Sequence, residues 1–137
     1  MDYYQNAQET ERAACSLLDN GFFRQSTYMF CLAVELYLKS KLGLVEHSPN
    51  IEKTHDIINM YKLLSERFAP RTNLTKAVTR CQKYFNESRY PYMVDARLYT
   101  EEFAKEFKEF AASIREYIED ECLATLDDLS IKFGKKS

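Results

Sequence analysis

Three polar groupings could carry chemistry in this chain of 137 residues. The first is Ser88-Arg89-Tyr90-Pro91. Arg offers a planar fork matched to phosphate or carboxylate oxygens, and Tyr offers a flat face on which a base can stack. The Pro that follows drives Tyr90 out of the helical region, so both side chains are expected at a helix end. They lie in the one basic stretch of the sequence. Residues 71–99 carry six basic and two acidic side chains, a local charge of +4 in a chain whose formal net charge is −2. An anion or nucleotide contact suits these residue types. So does a plain helix end, in which Arg89 reaches a carboxylate such as Glu35 and Tyr90 packs inward.

The second grouping is Glu35 with Lys39, an i, i+4 pair in the favourable order, acid first. On a solvated face it contributes a few tenths of a kcal/mol; facing a cleft, Lys39 could meet a phosphate. The third is His55-Asp56. At the opening of a helix His55 could act as a neutral donor or acceptor toward a ligand. Equally, its ring could bond a backbone carbonyl or a neighbouring carboxylate and fix the loop before it. A metal site is not expected, because neither His47 nor His55 stands at a zinc-like spacing from a Cys. Cys15, Cys31, Cys81 and Cys122 form no C-x-x-C pair and read as reduced, mostly buried thiols. No cofactor is implied.

The elements that must position these groups are helical nearly throughout. Three Gly and three Pro are too few for a fold of many tight turns, and 45% hydrophobic with 29% charged residues is ordinary for a globular chain. Apolar positions at i, i+3, i+4 spacing predict a helix over Tyr3–Leu18, closed by Asn20-Gly21. A second runs over Phe23–Leu42, with Tyr28, Cys31, Leu32, Leu36 and Leu42 on one side. Met29, Ala33 and Leu38 widen that stripe, so this helix should be central and touch several neighbours. A third is expected over Thr54–Phe68, capped by Thr54, with Ile57, Ile58, Tyr61, Leu64 and Phe68 inward. A fourth spans Asn73–Asn86 through Leu74, Ala77, Val78, Cys81 and Phe85.

The fifth starts at Thr100, a good cap followed by Glu101 and Glu102 at the positive end of the helix dipole. Phe103, Phe107, Phe110, Ile114 and Tyr117 form one seam on it, and Ala104, Ala111 and Ile118 a parallel one. The expected fold is all-α, a five-helix antiparallel up-and-down bundle over residues 1–122 with a C-terminal tail over 123–137. No run of apolar residues is long enough for a membrane span. Met1-Asp2-Tyr3-Tyr4-Gln5 does not read as the start of a signal peptide, so a cytoplasmic location is expected. The broad stripe on the second helix and the doubled seam on the fifth also predict a homodimer.

Together, Ala33-Val34-Glu35 with Leu38-Lys39, Thr54-His55-Asp56-Ile57 and Ser88-Arg89-Tyr90-Pro91 resemble the HEPN family, over about residues 3–120. The resemblance implies a small helical bundle, commonly dimeric, and in prokaryotes often paired with a minimal nucleotidyltransferase in a toxin–antitoxin or related two-gene module. It implies that Glu35, Lys39, His55, Arg89 and Tyr90 mark the polar cleft, with Asp56 and Pro91 in support. Many members are metal-independent ribonucleases that use an Arg followed, after four to six residues, by a His. The His handles the protons of 2′-hydroxyl attack and the Arg stabilises the phosphate charge. After Arg89 those positions hold Val94, Asp95 and Ala96.

The expected function is therefore a HEPN-type module that binds a nucleotide, an RNA phosphate or a partner nucleotidyltransferase through Lys39, His55, Arg89 and Tyr90, without catalysis of its own. The alternatives are a degenerate ribonuclease in which His55 stands in as acid or base, and a purely structural dimeric adaptor.

Overall fold

In a computed structural model the chain is described over residues 2–42, 55–88 and 99–122. Among these residues five α-helices follow in order: α1 (Tyr3–Asp19), α2 (Phe23–Leu42), α3 (Ile57–Arg67), α4 (Thr75–Glu87) and α5 (Glu101–Glu116). They form the all-α up-and-down bundle expected from the sequence, with no strand among the described residues. The tail over 123–137 lies outside the described residues.

Local chemistry sets most of the boundaries. Asp2 caps α1 by accepting from the Gln5 amide at 2.9 Å. At the other end, Phe22 N–H bonds Leu17 O and Gly21 N–H bonds Leu18 O. This paired arrangement needs a left-handed residue, and Gly21 supplies it at φ 81°. The sharp turn sends α2 back along α1. Thr100 caps α5 as expected, accepting from Phe103 N.

Two ends differ from expectation. α3 begins at Ile57 with Asp56, not Thr54, as its cap: the Asp56 carboxylate accepts from Asn59 N at 3.0 Å. Gln82 on α4 reinforces that start by accepting from Ile57 N at 2.5 Å. α5 does not continue as an α-helix through Ile118. It opens at Tyr117–Glu121 into a single π-helical turn, closed by Cys122 N–H to Tyr117 O. The Tyr117 hydroxyl donates to Phe68 O at 2.6 Å, and Glu121 accepts from Arg71 N at 2.6 Å. The turn thereby ties the end of α5 to the α3–α4 connection.

α2 is the central helix and packs against all four others. It is buried nearly all round, with Phe30, Cys31, Ala33, Val34, Tyr37 and Leu38 without solvent exposure. Phe107, Ala111, Ile114, Tyr117 and Ile118 complete the core from the C-terminal side. On the α2 stripe from which a dimer was expected, Cys31, Ala33, Leu38 and Leu42 are buried, while Met29, Leu32 and Leu36 are part-buried. Phe22, Tyr28 and Ile58 are the large apolar side chains that stay exposed among the described residues, Tyr28 and Ile58 contrary to their expected places on the apolar stripes. Cys31, Cys81 and Cys122 are buried and unbridged, and Cys15 is half-buried.

Candidate functional site

The middle of α2 carries Glu35 and Lys39 into the bundle, not onto a solvated face: they are 2% and 5% exposed. Lys39 Nζ donates to Glu35 Oε2 at 3.3 Å, and Nδ1 of His55 lies 2.8 Å from Glu35 Oε1. A carboxylate can only accept, so the ring nitrogen facing it carries the hydrogen and Nε2 is left for another contact. The Lys39 ammonium also sits 5.9 Å from the centre of the Tyr3 ring. A buried charge needs this many partners, because an unmatched one forfeits its hydration without return.

His55 is the exposed end of this chain of contacts; about half of its side chain, 53%, is accessible. It is held from three directions. Glu35 fixes the ring, the Asp56 cap and Gln82 fix the backbone just after it, and Phe85 of α4 meets the ring edge-on at 6.3 Å. Phe85 in turn contacts Tyr28 at 5.2 Å, so a row of rings runs from His55 across α4 to α2. Beyond Tyr28 lies a cavity of about 620 Å³ walled by Arg24, Gln25, Met29 and Tyr84, with Ser88 at its edge. Ser88 is the C-cap of α4 and the residue immediately before Arg89 in sequence.

Of the predicted site residues, the structure brings Glu35, Lys39 and His55 together. Asp56 serves as the α3 cap. Arg89, Tyr90 and Pro91 lie outside the described residues. The basic character of residues 71–99 is partly spent on packing. Arg80 is paired with Glu106 and lies over the rings of Phe103, Phe107 and Phe110 at 5.4–5.6 Å. No group of His, Cys, Asp and Glu able to hold a metal occurs among the described residues, and no helix of them is long and apolar enough to cross a membrane.

The sequence pattern of the HEPN domain matches residues 1–121 of this chain. The chain belongs to the HEPN domain family. Among solved structures, the crystal structure of TT1696 from Thermus thermophilus is similar, with a TM-score of 0.75 and 25% sequence identity over 89% of this chain and 96% of that one. No curated protein matches this chain.

This HEPN chain also has a second polar centre, on the opposite side of α2, that reading the sequence missed. Glu11 of α1 is 7% exposed. It accepts from the Tyr37 hydroxyl at 2.6 Å on one oxygen and from Arg115 Nη1 at 2.5 Å on the other. Burial, followed by the bond to Glu11, pushes the Tyr37 phenol far above its usual range, so it stays a neutral donor. Next to it the Tyr4 hydroxyl donates to Glu119, and Gln8 Nε2 donates to Tyr4 at 3.2 Å. One signal was available. Glu11 interrupts the buried stripe Ala7, Ala14, Leu18 at a place where an apolar residue belongs.

Proposed function

We propose that this HEPN chain binds a nucleotide or an RNA phosphate at the edge of α2, α3 and the end of α4, without catalysis of its own. In this reading His55, Arg89 and Tyr90 touch the ligand. Lys39 acts from behind, by fixing the Glu35 carboxylate that orients His55; Asp56 supports the site as the α3 cap, and Pro91 is assigned a supporting role by the family resemblance alone. The observation that carries it is His55 itself: half-exposed, oriented by a buried carboxylate, and in edge-on contact with Phe85 of α4, the helix that Arg89-Tyr90-Pro91 follows in sequence. Orienting a ring that way before a ligand arrives lowers the ordering cost of binding. The cavity beside Ser88, with Tyr28, Tyr84 and Arg24 in its wall, has the aromatic and cationic surface that a stacked base and its phosphate require.

The family resemblance adds the setting: a homodimer acting with a minimal nucleotidyltransferase in a prokaryotic two-component, toxin–antitoxin-like system. Among the described residues, the exposed Phe22, Tyr28 and Ile58 offer apolar surface for such contacts. Calorimetry of the purified protein against mono-, di- and trinucleotides and short RNAs tests the binding role. Saturable binding that Arg89→Ala and His55→Ala abolish is expected. No binding by the wild type, or binding unchanged in Arg89→Ala, would overturn it. An adjacent gene for a small nucleotidyltransferase would favour the two-component setting.

One observation favours a second reading. A carboxylate that fixes an imidazole through Nδ1 leaves Nε2 poised as a general base, so His55 could serve a degenerate ribonuclease. Val94, Asp95 and Ala96 offer no imidazole where the family's nuclease motif has one. Incubating total RNA with the protein in chelator separates the readings: cleavage absent from a His55→Ala control would establish nuclease activity.

A further inference from the structure

We infer that the groove between α1 and α5 is a second, independent binding site, for a compact multivalent phosphoanion of the pyrophosphate or polyphosphate type. The groove encloses about 330 Å³ and is floored by Tyr37. Arg12 comes from the α1 wall and Lys108 and Arg115 from the α5 wall, so three cations converge on a small volume. Ala112 lies between Lys108 and Arg115 on α5 and lacks the side chain to fill the space between them.

The one carboxylate in the lining, Glu11, offsets only one of these three charges, that of its partner Arg115. Glu11 is buried, and both of its oxygens are occupied, by Tyr37 and by Arg115. Its effect is to hold the Arg115 guanidinium in place through Nη1 while about a third of that side chain, 35%, stays accessible. Glu119, whose field also reaches Arg115, stands outside the lining and accepts from the Tyr4 hydroxyl. Arg12 and Lys108 are exposed and have no carboxylate within ion-pair distance among the described residues. A pre-positioned guanidinium flanked by these two cations, with Gln8 as a neutral donor on the rim, matches phosphate oxygens bearing more than one charge. With Glu11 already matching Arg115, a singly charged anion would still leave one of the two remaining cations unmatched. The site shares no residue with the His55 edge.

Cys15 provides a built-in reporter, because it lines the groove and is half-buried while the other three thiols are buried. Titration calorimetry of the full chain with pyrophosphate, tripolyphosphate and ATP should show saturable binding that weakens as salt is raised. The same anions should slow alkylation of Cys15 by iodoacetamide, followed by mass spectrometry. Lys108→Glu and Arg12→Glu should each weaken binding at least about tenfold and lift the Cys15 protection. Lys108→Gln and Arg12→Gln serve as milder variants if either reversal perturbs folding. His55→Ala and Arg89→Ala should leave the binding of pyrophosphate and tripolyphosphate intact, so its failure and that of the His55 site are distinguishable. Compared in His55→Ala protein, where the first site cannot contribute, equal affinity for tripolyphosphate and ATP would mean the groove reads phosphate alone; tighter ATP binding would mean the groove's ligand is a nucleotide. Absence of saturable binding at millimolar anion, or binding and protection indifferent to Arg12 and Lys108, would overturn the inference.

Discussion

The carboxylate of Glu35 holds the ring of His55 at 2.8 Å from inside the bundle, while its other oxygen takes the ammonium of Lys39 at 3.3 Å. Two of the three groups are almost without solvent. The arrangement makes an exposed side chain depend on a buried pair, and the consequences for stability and for binding can be separated.

Glu35→Ala should destabilise the protein by about 3–5 kcal/mol, because it strands the buried Lys39 charge. Replacing both partners, with Glu35→Leu and Lys39→Met together, should recover most of that loss while leaving His55 without its anchor. Urea denaturation of the single and double variants measures both. If Glu35→Ala unfolds at the wild-type midpoint, the pair is not buried as described. If the double variant keeps full ligand affinity, Glu35 does not orient His55.

Asp56 can be assigned by a graded substitution. As the α3 cap, Asp56→Ala should cost about 1 kcal/mol, and Asp56→Asn only a few tenths, since the amide oxygen can still accept from Asn59 N. Thermal denaturation compares the two. A large loss in Asp56→Asn would show that the charge, not the cap, is what the site uses.

Arg80 tests how much of the basic stretch is structural. Its guanidinium lies over three Phe rings of α5 and is paired with Glu106 on a partly exposed edge. Arg80→Ala should destabilise by about 1–2 kcal/mol through lost stacking and stem packing, whereas Glu106→Gln should cost no more than about 1 kcal/mol. Equal effects in chemical denaturation would mean that the ion pair, not the stacking, dominates.

What the sequence disclosed follows from the range of the forces involved. The Gly21 turn and the Thr100 cap depend on residues within one helical turn and were readable. At the start of α3 two local caps competed, Thr54 and Asp56, and the choice of Asp56 is reinforced by Gln82, 25 positions away, which accepts from the Ile57 amide. Stripes on α4 and α5 were legible where one face is buried and the other wet. On α2 that contrast vanishes, and so Phe30, Val34 and Tyr37 were overlooked although they are fully buried. The family residues on α2 and at His55 were recognisable, but not that Glu35 and Lys39 point inward. Arg115 could not have been matched with Glu11 by any local pattern, since 104 positions separate them.

The buried phenols predict a steep alkaline limit. Burial, the largest cause in each case, raises Tyr37, Tyr84 and Tyr117 well above their ordinary value of 10.0. Burial likewise pushes the Cys122 thiol from 9.0 to about 11. In the unfolded chain these groups release protons near their ordinary values, while in the fold they keep them to higher pH. The folded state then binds more protons than the unfolded one, and stability falls as pH rises. The contribution is complete below about pH 9 and erodes above it, by up to roughly 1.4 kcal/mol per pH unit for each group inside its window. Tyr37→Phe separates the two roles of that hydroxyl. At neutral pH it should cost about 1–3 kcal/mol, because the buried Glu11 loses a donor. Above about pH 10 it should make the decline shallower by one proton's worth, since Phe has nothing to titrate. Urea denaturation of both proteins at a series of pH values from neutral to alkaline reads the slope directly. A wild-type stability that stays flat through this range would mean that the three phenols are open to solvent.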